Sequence, residues 1–257
     1  FGYAGLEADL EVIRRMSAAL EIAGTPASRI DVAHVGVFRA LAKAAGLSAR
    51  LEQQIIPLLQ HKDVPGLREA CATLAEPYRS ALLCLPELYD GDTLLAEAEQ
   101  RLPALPEIAA ALETLKQLRA ALPDLPLSFD LADLRGYHYY NGVVFAAYHP
   151  DYPAAIARGG RYDGVGADFG RARPATGFSM DLREIARLAG SATPTGAILS
   201  PATGGKPELA ALVARLREQG EIVIERLPGE TCIEGPWCDR ELVENQGKWI
   251  IQALNGE

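Results

Sequence analysis

The chain has 257 residues, of which 49% are hydrophobic and 23% are charged, and its formal net charge is −9. These values predict a globular protein that buries a sizeable core in one large and one small domain. The negative charge argues against a nucleic-acid partner, and no apolar run approaches the roughly 18 residues of a membrane span, so we expect neither RNA nor membrane binding.

The cysteines indicate the redox setting of the protein. They are Cys71, Cys84, Cys232 and Cys238, and none stands in a Cys-x-x-Cys pair. This spacing argues against a zinc site, and a chain of this size does not depend on a disulfide framework. We therefore expect free thiols, a cytoplasmic location, and no metal or cofactor.

The first elements along the chain are predicted to be a helix and a strand. Apolar residues recur at helical spacing between positions 6 and 20, and Gly24 is typical of a helix end. The run from Ile30 to Val35 then predicts a strand. Because strand residues alternate between faces, Asp31 and His34 should point in opposite directions and should not form one site.

The next segment, at about 37–122, is predicted to be a helical insertion of several short helices. It is rich in Ala and Leu, its apolar positions are periodic, and prolines interrupt it repeatedly. Leucine-rich helix faces more often form core than a partner surface, so we expect these faces to be internal. The alternative is that one of them docks a partner.

Residues 127–180 are predicted to form an antiparallel sheet that carries the candidate site. The segment 134–163, LRGYHYYNGVVFAAYHPDYPAAIARGGRYD, predicts two strands joined by a proline-containing turn, with a Tyr-Tyr pair and an Arg-Tyr pair on them. Arginine forks and phenol hydroxyls on a sheet suit a small ligand with a carboxylate and a hydrogen-bonding ring. The alternative is that the tyrosines only pack and the arginines only pair with nearby aspartates.

The charge of this region differs from that of the rest of the chain. Residues 135–187 contain seven Arg, no Lys and five acidic residues, whereas the tail from Ser191 has six basic and ten acidic residues. An arginine cluster in an acidic protein favours a focused anion site. The acidic tail argues against a domain that binds RNA.

The last part of the chain is predicted to be a small α/β domain. The Asn245-Gln246-Gly247 run predicts a hairpin turn. The other predicted elements are a helix at 181–188, a short linker at 191–196, a strand at 197–200, a helix at 207–218 and a strand at 221–226.

Several segments of this sequence resemble the catalytic core of histidyl-tRNA synthetases. RGYHYYNGVVF, ARGGRYDG and ATGFSMDLREI match motifs of that family in order and spacing, and FGYAGLEADLEVI is similar to the segment after its second class II motif. The resemblance implies an α+β fold, with a class II aminoacyl-tRNA synthetase-like antiparallel sheet core over 1–190 and a small C-terminal α/β domain over 191–257. It also implies a homodimer and further residues upstream of Phe1.

The chain departs from the synthetase pattern where that family contacts ATP. The family's Gly-Leu-Glu-Arg is Asp181-Leu182-Arg183-Glu184 here, so a carboxylate stands where an ATP-binding arginine is expected. A carboxylate facing a triphosphate is repulsive, and Arg183 is no substitute because one helical step turns a side chain by about 100°. The Asp of the family's Asp-Tyr-Tyr is His138, and the Glu after Val-Phe is Ala146.

A catalytically silent relative of the synthetases has these features, the regulatory subunit of ATP phosphoribosyltransferase. The tail CDRELVENQGKWIIQ is similar to the C-terminal end of that family. The resemblance implies a non-catalytic subunit that activates the short catalytic chain in the first step of histidine biosynthesis and mediates feedback inhibition by histidine. The alternatives are a divergent or fragmentary histidyl-tRNA synthetase, and a free-standing binding module with another partner.

The same resemblance implies a histidine site and no catalytic residue. In it, Arg135 would bind the carboxylate of histidine, Tyr139, Tyr140 and Tyr162 would form the imidazole contacts and the pocket wall, and Arg158 and Gly159 would line the floor.

Overall fold

The protein is described from a computed structural model that covers residues 1–91, 93–190, 196–227 and 238–254. The chain divides into two compact units, Phe1–Ala189 and Gly190–Glu257. None of the helices in these ranges is long and apolar enough to cross a membrane.

The larger unit packs helices against a five-stranded sheet. Its helices are α1 (Leu6–Ile22), α2 (Val35–Ala44), α3 (Ala49–Gln60), α4 (Val64–Ala70), α5 (Tyr78–Cys84), α6 (Leu94–Arg101), α7 (Pro106–Ala121) and α8 (Leu182–Leu188), with 3-10 turns at Leu85–Glu87 and Val165–Phe169. Its strands are β1 (Arg29–His34), β2 (Leu127–Phe129), β3 (Val143–Tyr148), β4 (Ala155–Arg161) and β5 (Thr176–Met180).

The strand order in this sheet is β2-β1-β3-β4-β5. Neighbours from β1 through β3 and β4 to β5 are antiparallel, as the sequence predicted for most of this region. The exception is β2, which runs parallel to β1. The helices α2 to α7 connect these two strands, and a crossover of that length returns the chain in the same direction.

One hydrophobic core joins the helical segment to the sheet. Phe38 of α2, Leu115 of α7 and Phe129 of β2 are all buried and belong to the same cluster. Burying a side chain of this size contributes about 1.5–3 kcal/mol. The prediction that the leucine-rich helix faces are internal is therefore confirmed for these helices, because their apolar positions cover the sheet.

The structure corrects the prediction that the Tyr-Tyr pair lies on a strand. Residues 135–139 form turns, and β3 begins only at Val143. Gly136 has a φ of 68°, a left-handed conformation that glycine adopts without a steric cost. Its carbonyl accepts hydrogen bonds from the backbone N–H groups of Tyr139 and Tyr140, both at 2.8 Å. This reversal outweighs the strand preference of the aromatic residues.

The strand predicted at 30–35 is β1, and it ends one residue earlier than expected. Val35 already begins α2, with His34 as the N-terminal cap. The Nδ1 atom of His34 accepts the backbone N–H of Gly36 at 3.0 Å. The histidine therefore has a structural role at the start of the helix.

In its described residues, Gly190, 196–227 and 238–254, the smaller unit combines one helix with a four-stranded sheet in the order β7-β6-β8-β9. The elements are β6 (Ala197–Ser200), α9 (Pro207–Glu218), β7 (Val223–Glu225), β8 (Cys238–Asn245) and β9 (Lys248–Ala253). The predicted hairpin is confirmed, since β8 and β9 are antiparallel and Gln246 and Gly247 both have positive φ. The predicted linker falls mainly on 191–195, outside the described residues.

The free thiols fall into two environments. Cys71 and Cys84 are free and buried, and Cys238 is free and partly exposed. Burial raises the pKa of the Cys71 and Cys84 thiols, so both are protonated at neutral pH. Cys232 lies outside the described residues.

Candidate ligand-binding site

A cavity of about 270 Å³ lies on one face of the larger sheet. Of the six residues predicted for the site, the structure brings together all except Tyr162. The lining residues are Asp133, Arg135, Gly136, Tyr139, Tyr140, Val144, Phe145, Ala146, Arg158 and Gly159. The volume is just below the roughly 300–1,000 Å³ of pockets for drug-sized ligands, so the space suits a ligand the size of an amino acid.

The loop that carries the Tyr-Tyr pair is held from the helical side. Arg39 of α2 donates from Nη2 to the carbonyl oxygens of Tyr137 and Tyr140, both at 3.2 Å. Its guanidinium also lies 5.0 Å from the ring centre of Tyr137. Nothing in the sequence marked Arg39, because it precedes the tyrosines by about a hundred residues.

The three predicted tyrosines form one aromatic cluster. The ring centroids of Tyr139 and Tyr140 are 5.1 Å apart, and those of Tyr139 and Tyr162 are 5.0 Å apart. Tyr162 lines a separate cavity with Phe1 on the other side of Tyr139. Burial raises the pKa of Tyr140 and of Tyr162, so both phenols are protonated at neutral pH and can donate hydrogen bonds.

The Gly-Gly pair before Arg161 allows the tyrosine cluster to lie on the sheet. A Cβ atom at Gly160 would stand 2.7 Å from the carbonyl oxygen of Val143 and 2.8 Å from Cδ1 of Tyr140. A Cβ atom at Gly159 would collide with the carbonyl oxygen of Gly177. Both glycines are thus needed for close approach and not for an unusual φ.

Replacing Gly160 with alanine should lower the free energy of unfolding by about 1–3 kcal/mol, since overpacking forces neighbouring groups to move. Displacement of the Tyr140 ring should weaken ligand binding in the cavity as well. Urea unfolding measures the first effect. Gly164→Ala is the matched control, because a Cβ atom there meets nothing within 4 Å. Equal stability of the two variants would contradict the packing described for Gly160.

One edge of the Arg135 guanidinium is paired with its neighbour Asp133. Its Nε donates to Oδ1 of Asp133 at 2.8 Å, its Nη2 donates to Oδ2, and its backbone N–H donates to Oδ1 at 3.1 Å. The hydrogen bonds to Asp133 raise the pKa of Arg135 above its ordinary value. This pair also separates the candidate cavity from a second cavity of about 570 Å³ that shares both residues.

Arg158, unlike Arg135, is not paired with a described carboxylate. It is the exposed residue in the otherwise buried strand β4, and its cross-strand neighbours are Ala146 and Ser179. Within the described part of the chain, its guanidinium makes no hydrogen bond or ion pair. The cavity therefore contains one compensated arginine and one uncompensated arginine.

Arg161, which belongs to the segment ARGGRYDG, does not line the cavity. It is buried and forms an ion pair with Asp9 of α1 at 2.8 Å and another with Asp163 at 3.3 Å. The alternative considered from the sequence, that some of these arginines only pair with aspartates, is confirmed for this residue.

Both acidic residues of the segment Asp181-Leu182-Arg183-Glu184, which we call the third motif, have structural roles. Asp181 is the N-terminal cap of α8, since its Oδ1 accepts the backbone N–H of Glu184 at 3.3 Å. Glu184 forms an ion pair with Arg187 one turn further along. Arg183 is exposed on the same helix.

The described residues contain no candidate metal centre. Among the residues that the structure describes, no group of three or more His, Cys, Asp or Glu could hold a metal ion. The groups available to a ligand are therefore guanidinium, phenol, carboxylate and backbone groups.

Comparison with known proteins assigns the chain to a family. Residues 1–185 match the family model of histidyl-tRNA synthetase, and residues 195–252 match the ATP phosphoribosyltransferase subunit HisZ C-terminal domain. The ATP phosphoribosyltransferase regulatory subunit of Azoarcus sp. is 55% identical over 100% of this chain and 67% of its own length. The chain belongs to the ATP phosphoribosyltransferase regulatory subunit family. It spans about two thirds of the length of this curated relative.

Solved structures in and near this family share the fold. The crystal structure of an ATP phosphoribosyltransferase regulatory subunit/histidyl-tRNA synthetase from Bacillus halodurans is 28% identical, with a TM-score of 0.76, over 91% of this chain and 62% of that one. Histidyl-tRNA synthetase from Nostoc sp. is 18% identical, with a TM-score of 0.75, over 98% of this chain and 69% of that one. The predicted α+β, class II synthetase-like fold is confirmed.

Proposed function

We propose that the protein is a non-catalytic regulatory subunit that binds the short catalytic chain of ATP phosphoribosyltransferase and activates it. In this role it would also transmit feedback inhibition by histidine in the first step of histidine biosynthesis. Membership of the regulatory-subunit family supports a catalytic-chain partner. The coupling between histidine and the catalytic chain is then an interaction free energy between two sites.

The third motif supports the proposal that the protein is not a catalyst. Glu184 occupies the position at which the synthetase pattern has an ATP-binding arginine, and it is paired with Arg187. Asp181 is committed to capping α8. A carboxylate in that place repels a triphosphate, and Arg183 is no direct replacement because one helical step turns a side chain by about 100°.

The effector site in this proposal is the sheet-face cavity and the tyrosine cluster beside it. The residues assigned to it are Arg135, Tyr139, Tyr140, Arg158, Gly159 and Tyr162. The rings supply flat surfaces and phenol donors for an imidazole, and the arginines supply positive charge for a carboxylate. We extend the proposal to a homodimer without a nucleic-acid partner, in the cytoplasm. The net charge of −9 and the buried free thiols support the last two points.

Co-expression with a catalytic ATP phosphoribosyltransferase chain tests the assembly. We expect the two chains to purify together, and phosphoribosyl transfer to ATP to be faster in the complex than with the catalytic chain alone. Histidine should slow the complex more than the catalytic chain. Separate elution of the two chains at micromolar concentration, with no change in rate, would reject the proposal and favour a binding module with another partner.

Histidine titrations test the effector site. We expect the double variant Arg135→Ala, Tyr140→Phe to bind histidine at least about tenfold more weakly than wild type, since it removes the Tyr140 phenol donor and the Arg135–Asp133 pair that forms the cavity wall. Removing Arg135 also leaves Asp133 as an unpaired carboxylate beside the ligand. Calorimetry provides the affinities. The same affinity in both proteins would show that histidine binds elsewhere.

A divergent histidyl-tRNA synthetase is the second candidate, because the synthetase family model matches residues 1–185. This function requires formation of histidyl-adenylate from histidine and ATP. Histidine-dependent exchange of pyrophosphate into ATP detects that step directly. We expect no exchange from the complete protein, and a clear signal would replace the regulatory proposal with the enzymatic one.

A further inference from the structure

We infer that Arg158, and not Arg135, is the residue that binds the anionic group of the ligand in the sheet-face cavity, and that this group is a carboxylate. This inference rests on the proposed histidine site and assigns its specificity-determining residue. Arg135 then acts as a positioning residue, whose pairing with Asp133 forms the cavity wall.

The first step is the state of Arg135. Both carboxylate oxygens of Asp133 accept hydrogen bonds from its guanidinium, one of them at 2.8 Å. A guanidinium and a carboxylate joined in this bidentate way are electrically neutral together, and the geometry uses one edge of the planar fork. A ligand carboxylate at Arg135 would have to compete with Asp133 and would lie next to its negative charge. The pair therefore offers little net attraction to an anion.

The second step is the charge of Arg158. Its strand neighbours on the same face are Ala146 on β3 and Ser179 on β5, and neither can balance a cation. No ion pair or hydrogen bond to its guanidinium occurs among the residues that the structure describes. The positive charge at this cavity wall is therefore uncompensated. A concave site with walls of low dielectric strengthens its attraction for an anion.

The third step is the position of Arg158 relative to the Tyr140 ring. Arg158 and Tyr140 line the same cavity of about 270 Å³. The charge of Arg158 is close enough to oppose the effect of burial on the pKa of Tyr140. A ligand with an aromatic ring and a carboxylate a few bonds apart can therefore contact both residues at once. The chemical class that fits is a small aromatic or imidazole amino acid.

The small residues around Arg158 leave room for such a ligand. Along the adjoining strands, the same face presents Ala146 and Val144 of β3 together with Gly160 of β4. The short side chains leave the sheet surface open between the guanidinium and the Tyr140 ring. Arg158 is exposed, and it forms no ion pair with another described residue that a ligand would have to break.

Calorimetry with two ligands tests the assignment. Histidine and histamine differ by the carboxylate, so each is titrated into the wild-type complete protein and into Arg158→Gln. We expect the substitution to weaken histidine binding at least about tenfold, the usual effect of losing a charged hydrogen bond, and to change histamine binding by less than about twofold. Arg158→Lys should recover part of the histidine affinity, because it restores the charge without the fork.

Arg183→Gln is the matched control, since Arg183 is also exposed, lies in the same unit and lines no part of this cavity. It should bind both ligands as wild type does. Melting temperatures of all variants confirm that they are folded. Inorganic phosphate is titrated in parallel, and tighter binding of phosphate than of histidine at Arg158 would overturn the carboxylate assignment.

Other outcomes overturn the inference without touching the proposed function. These are an unchanged histidine affinity in Arg158→Gln, or an equal loss of histidine and histamine. Absence of histidine binding to wild type overturns both the inference and the proposed effector site. Co-purification with the catalytic chain is measured on the same proteins. If the wild-type protein assembles and binds histidine but either of the first two outcomes is found, only the role of Arg158 is refuted, whereas failure to assemble refutes the regulatory function.

Discussion

Replacing Asp9 with alanine should lower the free energy of unfolding by about 3–5 kcal/mol, because it leaves a buried cation without its partner. Arg161 donates from Nε and Nη2 to Oδ2 of Asp9, at 3.0 and 2.8 Å. The same guanidinium donates to the carbonyl oxygens of Tyr3 and Gly5. These bonds join the start of α1 to the end of β4, next to the tyrosine cluster. Asp163, at 3.3 Å and more exposed, compensates only in part.

Chemical denaturation of two further variants isolates the buried pair. Glu11→Ala on the same helix removes an exposed ion pair with Arg15, which is worth no more than about 0.5 kcal/mol. Asp9→Asn keeps the shape of the side chain and removes its charge, so its cost should be intermediate. If Asp9→Ala destabilises the protein no more than Glu11→Ala does, the pair does not hold α1 on the sheet.

Acidification should destabilise the protein through His34 by roughly 2–3 kcal/mol between about pH 6.5 and pH 4, as each pH unit between two pKa values corresponds to about 1.4 kcal/mol. Burial, aided by the positive charge of Arg39, lowers the pKa of His34 from 6.5 to about 4. The unfolded chain therefore binds a proton that the folded chain does not. Stability is fully present above pH 6.5 and is lost as pH falls toward 4. Partial exposure of the ring keeps the effect below the full value.

The geometry of the His34 cap also predicts that stability falls as the pH falls. Nδ1 of His34 accepts the N–H of Gly36, so protonation of that nitrogen removes the cap of α2. His34→Asn keeps a side chain that caps helices and does not titrate, and it should flatten the pH dependence in this window. Ser48→Asn at the start of α3 is the control, because it exchanges one cap for another without touching His34. Unfolding in urea at several pH values gives the slopes, and equal slopes in wild type and His34→Asn would refute this role.

Local patterns were enough to predict much of the fold. The helical periodicity of residues 6–20 became α1, and the Gln246-Gly247 turn joins β8 to β9. These elements depend on neighbours in the sequence, so local preference decides them. The Tyr139-Tyr140 pair was predicted on a strand, and this was wrong because the left-handed Gly136 reverses the chain there. Two turn hydrogen bonds then override the preference of the tyrosines for a strand.

The sequence predicted which residues line the candidate site better than it predicted the contacts that each of them makes. Five of the assigned residues line one cavity, with Tyr162 stacked beside it. Asp133 stands only two residues before Arg135, and yet the sequence does not show that the side chains meet in a bidentate pair. Arg39 holds the tyrosine loop from α2, and its position in the sequence offers no signal for that contact.

The sequence by itself determined the family, the class II synthetase-like core and the loss of the ATP-binding arginine at Glu184, because these follow from the order and identity of residues in short motifs. The tertiary structure decided which arginine carries a free charge. Arg161 is neutralised by Asp9 across 152 residues of sequence and Arg135 by Asp133, while Arg158 has the neutral cross-strand neighbours Ala146 and Ser179 and forms no ion pair among the described residues. Electrostatic attraction depends on distance in space and on burial, and neither can be read from spacing along the chain.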